Sequence, residues 1–335
     1  MTRSPTPWPQ RLYYRVKPWI PRRWQLAARR KRVQLILPRV NHVWPIDPQS
    51  SSPPENWRGW PDGKRFALVL THDVEWQGGH DKCARLAAME KALGVRSSFN
   101  FVPRRYRVSQ HLRERLVEDG FEVGVHGLDH DGREFESEAA FDRRVEGINH
   151  YLRSWNAVGF RAPCMRHNLE WISRLDIEYD TSTFDTDPFE PQPDGMRTIF
   201  PFIVHGGSRS YVELPYTLVQ DHTLFVMLQH QDCRVWKDKL DWIAEHGGMA
   251  LITTHPDYMR FGSAATGMEE YPARHYEQFL EYALDRHGSA AWLALPREVA
   301  RHCRKKLEAA VSAVVGHFLV GWQAIGESSH LLAVC

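Results

Sequence analysis

The chain has 335 residues, 42% of them hydrophobic, enough to bury a full core, which excludes a disordered or fibrous protein. Five scattered cysteines without CxxC spacing (Cys83, Cys164, Cys233, Cys303 and Cys335) argue against a disulfide framework or a thiolate zinc site and fit a reducing compartment. The net charge of +2 hides an asymmetry: residues 1–40 carry eleven Lys or Arg and no acid, so the rest stands at −9, which argues against a nucleic-acid binder.

From the N-terminus, residues 1–44 read as a basic aromatic arm whose Arg, Trp, Tyr and Leu residues suit an anionic membrane surface or a phosphate backbone, or simply packing on the acidic body. No long apolar stretch follows its charges, so it does not read as a secretory signal. Residues 45–63, rich in Pro, Ser and Gly, read as a linker or wrapping loop. A folded domain is expected over 64–300. There, short apolar runs alternate with helical patterns: FALVLT from Phe66 then a helix over 81–93, SSFNFV then 110–119, FEVGVH then 137–155. VGFR at Val158, a short helix over 169–175 and IEYDTST at Ile177 follow. Strand pieces are expected at 197–204 and 211–214, then a helix over 235–246, MALITTH, a helix over 274–286 and AAWLAL. Seven or so strand–helix units favour an α/β fold with parallel strands, a distorted barrel rather than an open nucleotide-binding sheet. No GxGxxG or GxxxxGK[ST] loop is present. Residues 301–335 read as a C-terminal helical extension. Its apolar part is interrupted by Glu308, His317 and Gln323, which makes it a poor membrane span.

Parallel α/β folds carry their chemistry at the carboxyl ends of strands. Asp73 and Glu75 follow the first strand, His126 and His130 the third, Arg161 the fourth; Asp180 ends the fifth, and His255 follows MALITT. Each has an ordinary alternative: surface histidines, a structural ion pair at Arg161, a strand-capping loop residue at His255. Two imidazoles four residues apart, with a carboxylate nearby, also form a three-ligand metal site that leaves a position open for water.

With these residues in place the chain resembles the polysaccharide deacetylases, the NodB-homology domains of carbohydrate esterase family 4, over roughly 64–296. THDVE is similar to the first motif of that family, with Asp73 in the position of the catalytic base. HGLDH resembles its metal motif, RAP at Arg161 the motif whose arginine holds the base, and ITTHPDY the last motif, which makes His255 the candidate acid. Val74 stands where the family has its second aspartate, so the resemblance implies Glu75 as substitute ligand, and Cys164 replaces the usual aromatic. The acid of the fourth motif falls on Asp180 or Asp185, with Asp180 preferred. His72 points away from Asp73 in an extended chain and reads as a packing residue or a supporting contact.

The resemblance implies a metal-dependent hydrolase removing an N-acetyl group from a sugar. Glu75, His126 and His130 would hold a divalent ion, expected to be Zn2+, and Asp73, Arg161, His255 and Asp180 would serve catalysis. The expected substrate is an N-acetylated sugar or lipid-linked glycan of surface polysaccharide or lipopolysaccharide assembly. The expected location is cytoplasmic, peripheral at the inner face of the membrane through residues 1–40. A metal-independent amide or cyclic ureide hydrolase on the same fold, and an inactive membrane-associated scaffold, are the competing readings.

Overall fold

The structure, a computed structural model, describes residues 21–55, 57–207 and 209–305. Most of the expected C-terminal extension, and residues 1–20 of the basic arm, lie outside the described residues. Strand β1 (Phe66–Val74) is apolar or β-branched for most of its length and buried at every position, as is β8 (Met249–Thr254). Such unalternating burial marks parallel strands covered on both faces. The sheet also contains β2 (Ser98–Phe101), β3 (Glu122–His126), β4 (Gly159–Arg161), β5 (Tyr179–Asp180), β6 (Phe202–His205) and β7 (Ser210–Glu213).

Its order is β6-β7-β5-β4-β3-β2-β1-β8, every pair parallel except β6 with β7. One edge of β1 pairs with β8 over Ala67–His72. The other is divided, with β11 (Ala291–Ala294) against Phe66–Val69 and β2 against Thr71–Val74. The curl closes just beyond β7, where the Thr217 and Leu218 amides donate to Leu251 O (3.0 Å each) and Thr217 Oγ1 donates to Met249 O (2.7 Å). The result is the distorted, mostly parallel α/β barrel that the strand–helix rhythm predicts. A separate two-stranded ladder pairs β9 (Met259–Arg260) with β10 (Tyr271–Pro272).

Helices Cys83–Ala92, Gln110–Glu118, Glu138–Ser154, Arg234–His246 and Arg274–His287 follow the expected apolar periodicities. Ser109 and Ser137 cap two of them by accepting from the amides of Leu112 and Ala140. Gly247, at φ 74°, ends the helix Arg234–His246 in the left-handed conformation that glycine tolerates best.

Two strands are shorter than their sequence patterns. IEYDTST pairs only at Tyr179–Asp180, because side chains take over the backbone partners: Asp180 accepts the Ser182 amide (3.2 Å) and Glu213 accepts that of Thr183 (3.0 Å). The piece expected at 197–204 begins only at Phe202. A π-helix, His222–Met227, follows β7 where no regular element was expected.

Part of the basic arm belongs to the body. Helix Arg22–Val40 buries Leu26 and Val33, and Trp44 joins them in the main core. Arg30 donates to Val226 O (2.9 Å) and Met268 O (2.8 Å), fastening the helix to the π-helix and to the segment before β10. The following residues wrap the barrel: Ser50 O accepts the Ile199 amide (3.0 Å), and buried Trp60 donates to Gly247 O (2.8 Å).

Candidate active site

The carboxyl ends of the barrel strands converge on a group of ionisable side chains. Register places Asp73 of β1 beside Asn100 of β2, and Asn100 beside Gly124 of β3. Asn100 Nδ2 donates to Asp73 Oδ1 (3.0 Å). A Cβ at Gly124 would lie 2.2 Å from Asn100 Oδ1, so the absence of a side chain there lets Asn100 reach across. The other Asp73 oxygen is 2.7 Å from Arg161 Nε, both side chains almost wholly buried. Burial opposes ionisation of Asp73, but the positive charge of Arg161 and the neighbouring histidines hold its carboxyl below the ordinary value.

Arg161 also orients a histidine. Its carbonyl lies 3.1 Å from His126 Nδ1 and can only accept, so Nδ1 carries the proton and Nε2 keeps a free lone pair. Burial pushes His126 down to about 4, which leaves it neutral at physiological pH. The chain then turns through Gly127 (φ 59°) to His130 (φ 52°). A side chain at Gly127 would meet Pro163 of the RAP segment at 2.2 Å. Arg105 fixes the turn by donating to His130 O (2.7 Å).

His130 Nε2 lies 3.1 Å from Glu75 Oε1. Glu75 is fixed from the other side, its amide donating to Asp257 Oδ2 (2.9 Å) and its Oε2 accepting from Tyr258 OH (3.3 Å). Ligand atoms of Glu75, His126 and His130 all lie within 4.8 Å of one another. His130 Nε2 is buried against the Glu75 carboxylate, the free His126 lone pair is alongside, and His130 is the main influence that keeps Glu75 well below its ordinary range despite burial. One carboxylate and two imidazoles gathered this closely fit a divalent ion.

His255 follows β8. Its amide donates to Asp221 Oδ2 (2.7 Å) and its Nδ1 to Asp221 Oδ1 (2.6 Å), while Tyr271 OH donates to the same carboxylate (3.1 Å). Nε2 points toward the cluster, 4.0 Å from Glu75 Oε1. Burial disfavours the imidazolium, but Asp221 outweighs it and lifts His255 to about 10. Sequence reasoning did not single out Asp221. The available signal was an acid closing the apolar run from Leu214 in an otherwise irregular region.

Six of the seven residues singled out in the sequence are thus linked by direct contacts. The seventh, Asp180, pairs with Glu213 across the β5–β7 register and accepts from Ser182 Oγ (2.6 Å). Among the described residues no hydrogen bond or ion pair joins it to Arg161 or His255. Val74, in the position where a second aspartate was sought, is fully buried in the main core. His72 lies between Thr254 Oγ1 (2.7 Å) and Glu90 Oε1 (2.9 Å) on the face away from Asp73.

The fold is that of the NodB-homology polysaccharide deacetylases. A protein assigned as a polysaccharide deacetylase from Mycobacterium smegmatis superposes with a TM-score of 0.58 at 19% identity, covering 74% of this chain and 93% of its own. One so assigned from Pseudomonas aeruginosa PAO1 gives 0.56 at 18% identity, covering 78% and 98%, and Puue allantoinase gives 0.55 at 17%, covering 77% and 97%. No protein-family model matches the sequence, and no curated protein matches it.

Proposed function

We propose that the chain is a metal-dependent hydrolase of a carbon–nitrogen bond that removes an N-acetyl group from a sugar. One observation carries this reading: the Glu75, His126 and His130 donor set lies between an ionised acid, Asp73 held by Arg161, and a protonatable base, His255 held by Asp221. A divalent ion held by the three donors, with Zn2+ the best match to their chemistry, supplies Lewis acidity to the amide carbonyl and the attacking water. Asp73 takes the water proton, and Arg161 keeps that carboxylate charged and aimed. His255 gives its Nε2 proton to the departing amine, which would otherwise have to leave as an anion. Asp180 has a supporting place in this scheme, through its buried pair with Glu213.

Metal analysis tests the reading directly. Purified wild type is expected to hold about one divalent ion per chain, and Glu75→Ala and His126→Ala are each expected to lose it while keeping the wild-type circular dichroism. Wild type that remains metal-free after zinc addition, while correctly folded, would remove the mechanism. The allantoinase among the structural neighbours favours a second reading, a cyclic ureide hydrolase on this fold. Release of acetate from an N-acetyl sugar, against ring opening of a ureide, separates the two.

The proposed setting is the assembly of a surface polysaccharide or lipopolysaccharide, with a lipid-linked glycan approached from the cytoplasmic face of the membrane. On helix Arg22–Val40, exposed Trp24 (61%) and Leu35 (62%) stand among exposed Arg23, Lys31 and Arg32, a combination that suits an anionic lipid surface. Among the described residues no helix is long and apolar enough to cross a membrane. Binding to vesicles of an anionic phospholipid is expected to weaken at least tenfold in a Trp24→Ala, Lys31→Glu, Arg32→Glu variant, and equal binding by that variant excludes this surface.

A further inference from the structure

Among the described residues five large hydrophobic side chains are exposed, and Trp76 directly follows Glu75. It is 53% exposed and belongs to none of the core clusters. Yet it is held in place. The Arg105 guanidinium carbon sits 3.4 Å from the indole centroid, a stacked contact on one face. Arg105 is itself tied to His130 O (2.7 Å), and the Trp76 amide donates to Asp257 Oδ1 (3.1 Å). The supports that fix the metal donors therefore also fix an aromatic ring that contributes nothing to the core.

The extended backbone of Trp76 (φ −137°, ψ 167°) turns its side chain to the opposite side of the chain from Glu75. The indole consequently flanks the cluster instead of covering it. Its surroundings are polar: Gln77 and Gly78 are exposed, and Arg105 is half-buried. A protein-docking patch would require contiguous apolar neighbours. A single rigid aromatic face with polar groups at its rim matches a pyranose ring, whose C–H face packs on indole while its hydroxyls bond at the edge.

Resting on the deacetylase reading, we propose that Trp76, backed by Arg105, is the stacking platform of a neighbouring sugar subsite, so that the chain acts on an oligosaccharide or longer glycan and binds the unit next to the one it deacetylates. The probes are tetra-N-acetylchitotetraose and monomeric N-acetylglucosamine, assayed with the zinc-loaded protein for acetate release and by calorimetry with the metal-free protein. Trp76→Ala is expected to raise KM for the tetramer about tenfold or more, with little change in kcat and none in the monomer KM, and Trp76→Phe is expected to restore most of the loss.

Equal effects on tetramer and monomer would overturn the platform. So would a fall in kcat accompanied by loss of metal, which would make Trp76 only a prop for Glu75, or weaker vesicle binding with sugar kinetics intact. If no sugar yields acetate, the hydrolytic reading fails by itself. Calorimetry still decides the platform: tetramer binding lost in Trp76→Ala upholds it, and tetramer binding that is absent in wild type or unchanged in the variant refutes it.

Discussion

Exchange of Asp73 for asparagine is expected to lower kcat by roughly 10²–10⁴-fold while leaving bound metal in place. Asparagine has the shape of aspartate but a single acceptor oxygen, so it can accept from only one of Arg161 and Asn100 and turns its NH2 toward the other donor, and the group that takes the water proton is gone. Both oxygens of Asp73 are already engaged, one by Arg161 at 2.7 Å and one by Asn100 at 3.0 Å, so the carboxylate has one orientation in which to work. Because Arg161 would be left buried without a counter-charge, the variant should also be less stable, and the kinetics belong below its measured unfolding temperature. A variant retaining more than a tenth of wild-type kcat, with its metal, would show that Asp73 is not the base.

The second large effect is expected at Asp221, and it depends on pH. In wild type Asp221 keeps His255 protonated up to about pH 10, so the proton needed by the leaving amine is present throughout the neutral range. In Asp221→Asn the stabilising charge is lost while burial, which favours neutral imidazole, remains. The alkaline limb of the kcat profile should therefore move to lower pH. The deficit of the variant should be smallest near pH 6 and grow about tenfold per pH unit once its histidine has deprotonated. A deficit that stays constant from pH 6 to 9 would mean that Asp221 only positions the ring and does not set its charge.

The sequence reading and the structure agree wherever a residue follows a strong strand. Asp73, His126, Arg161 and His255 each end or immediately follow a run of apolar residues, so parallel-sheet geometry alone brings them to one rim. Glu75 was legible from the two-residue period, which sets it on the same side as Asp73. The acid that pairs with His255 was not legible. Asp180 ends a short strand, where it accepts from Ser182 and lies in register with Glu213. Asp221 opens a π-helix, and neither alternation nor helical periodicity announces that element. The supports around Glu75 were equally hidden, since Asp257 and Tyr258 reach it through long-range contacts that no local pattern encodes.

The strand that carries Asp73 is also the one joined to three others, by β8 along one edge and by β11 and β2 in succession along the other. β1 itself cannot be released without parting from all three of these neighbours. Amide protons of β1 should therefore be among the last to exchange with deuterated solvent, after those of β6, which pairs with β7 alone. On this architecture the floor of the site persists for as long as the molecule is folded, and heating should remove activity and structure in a single event.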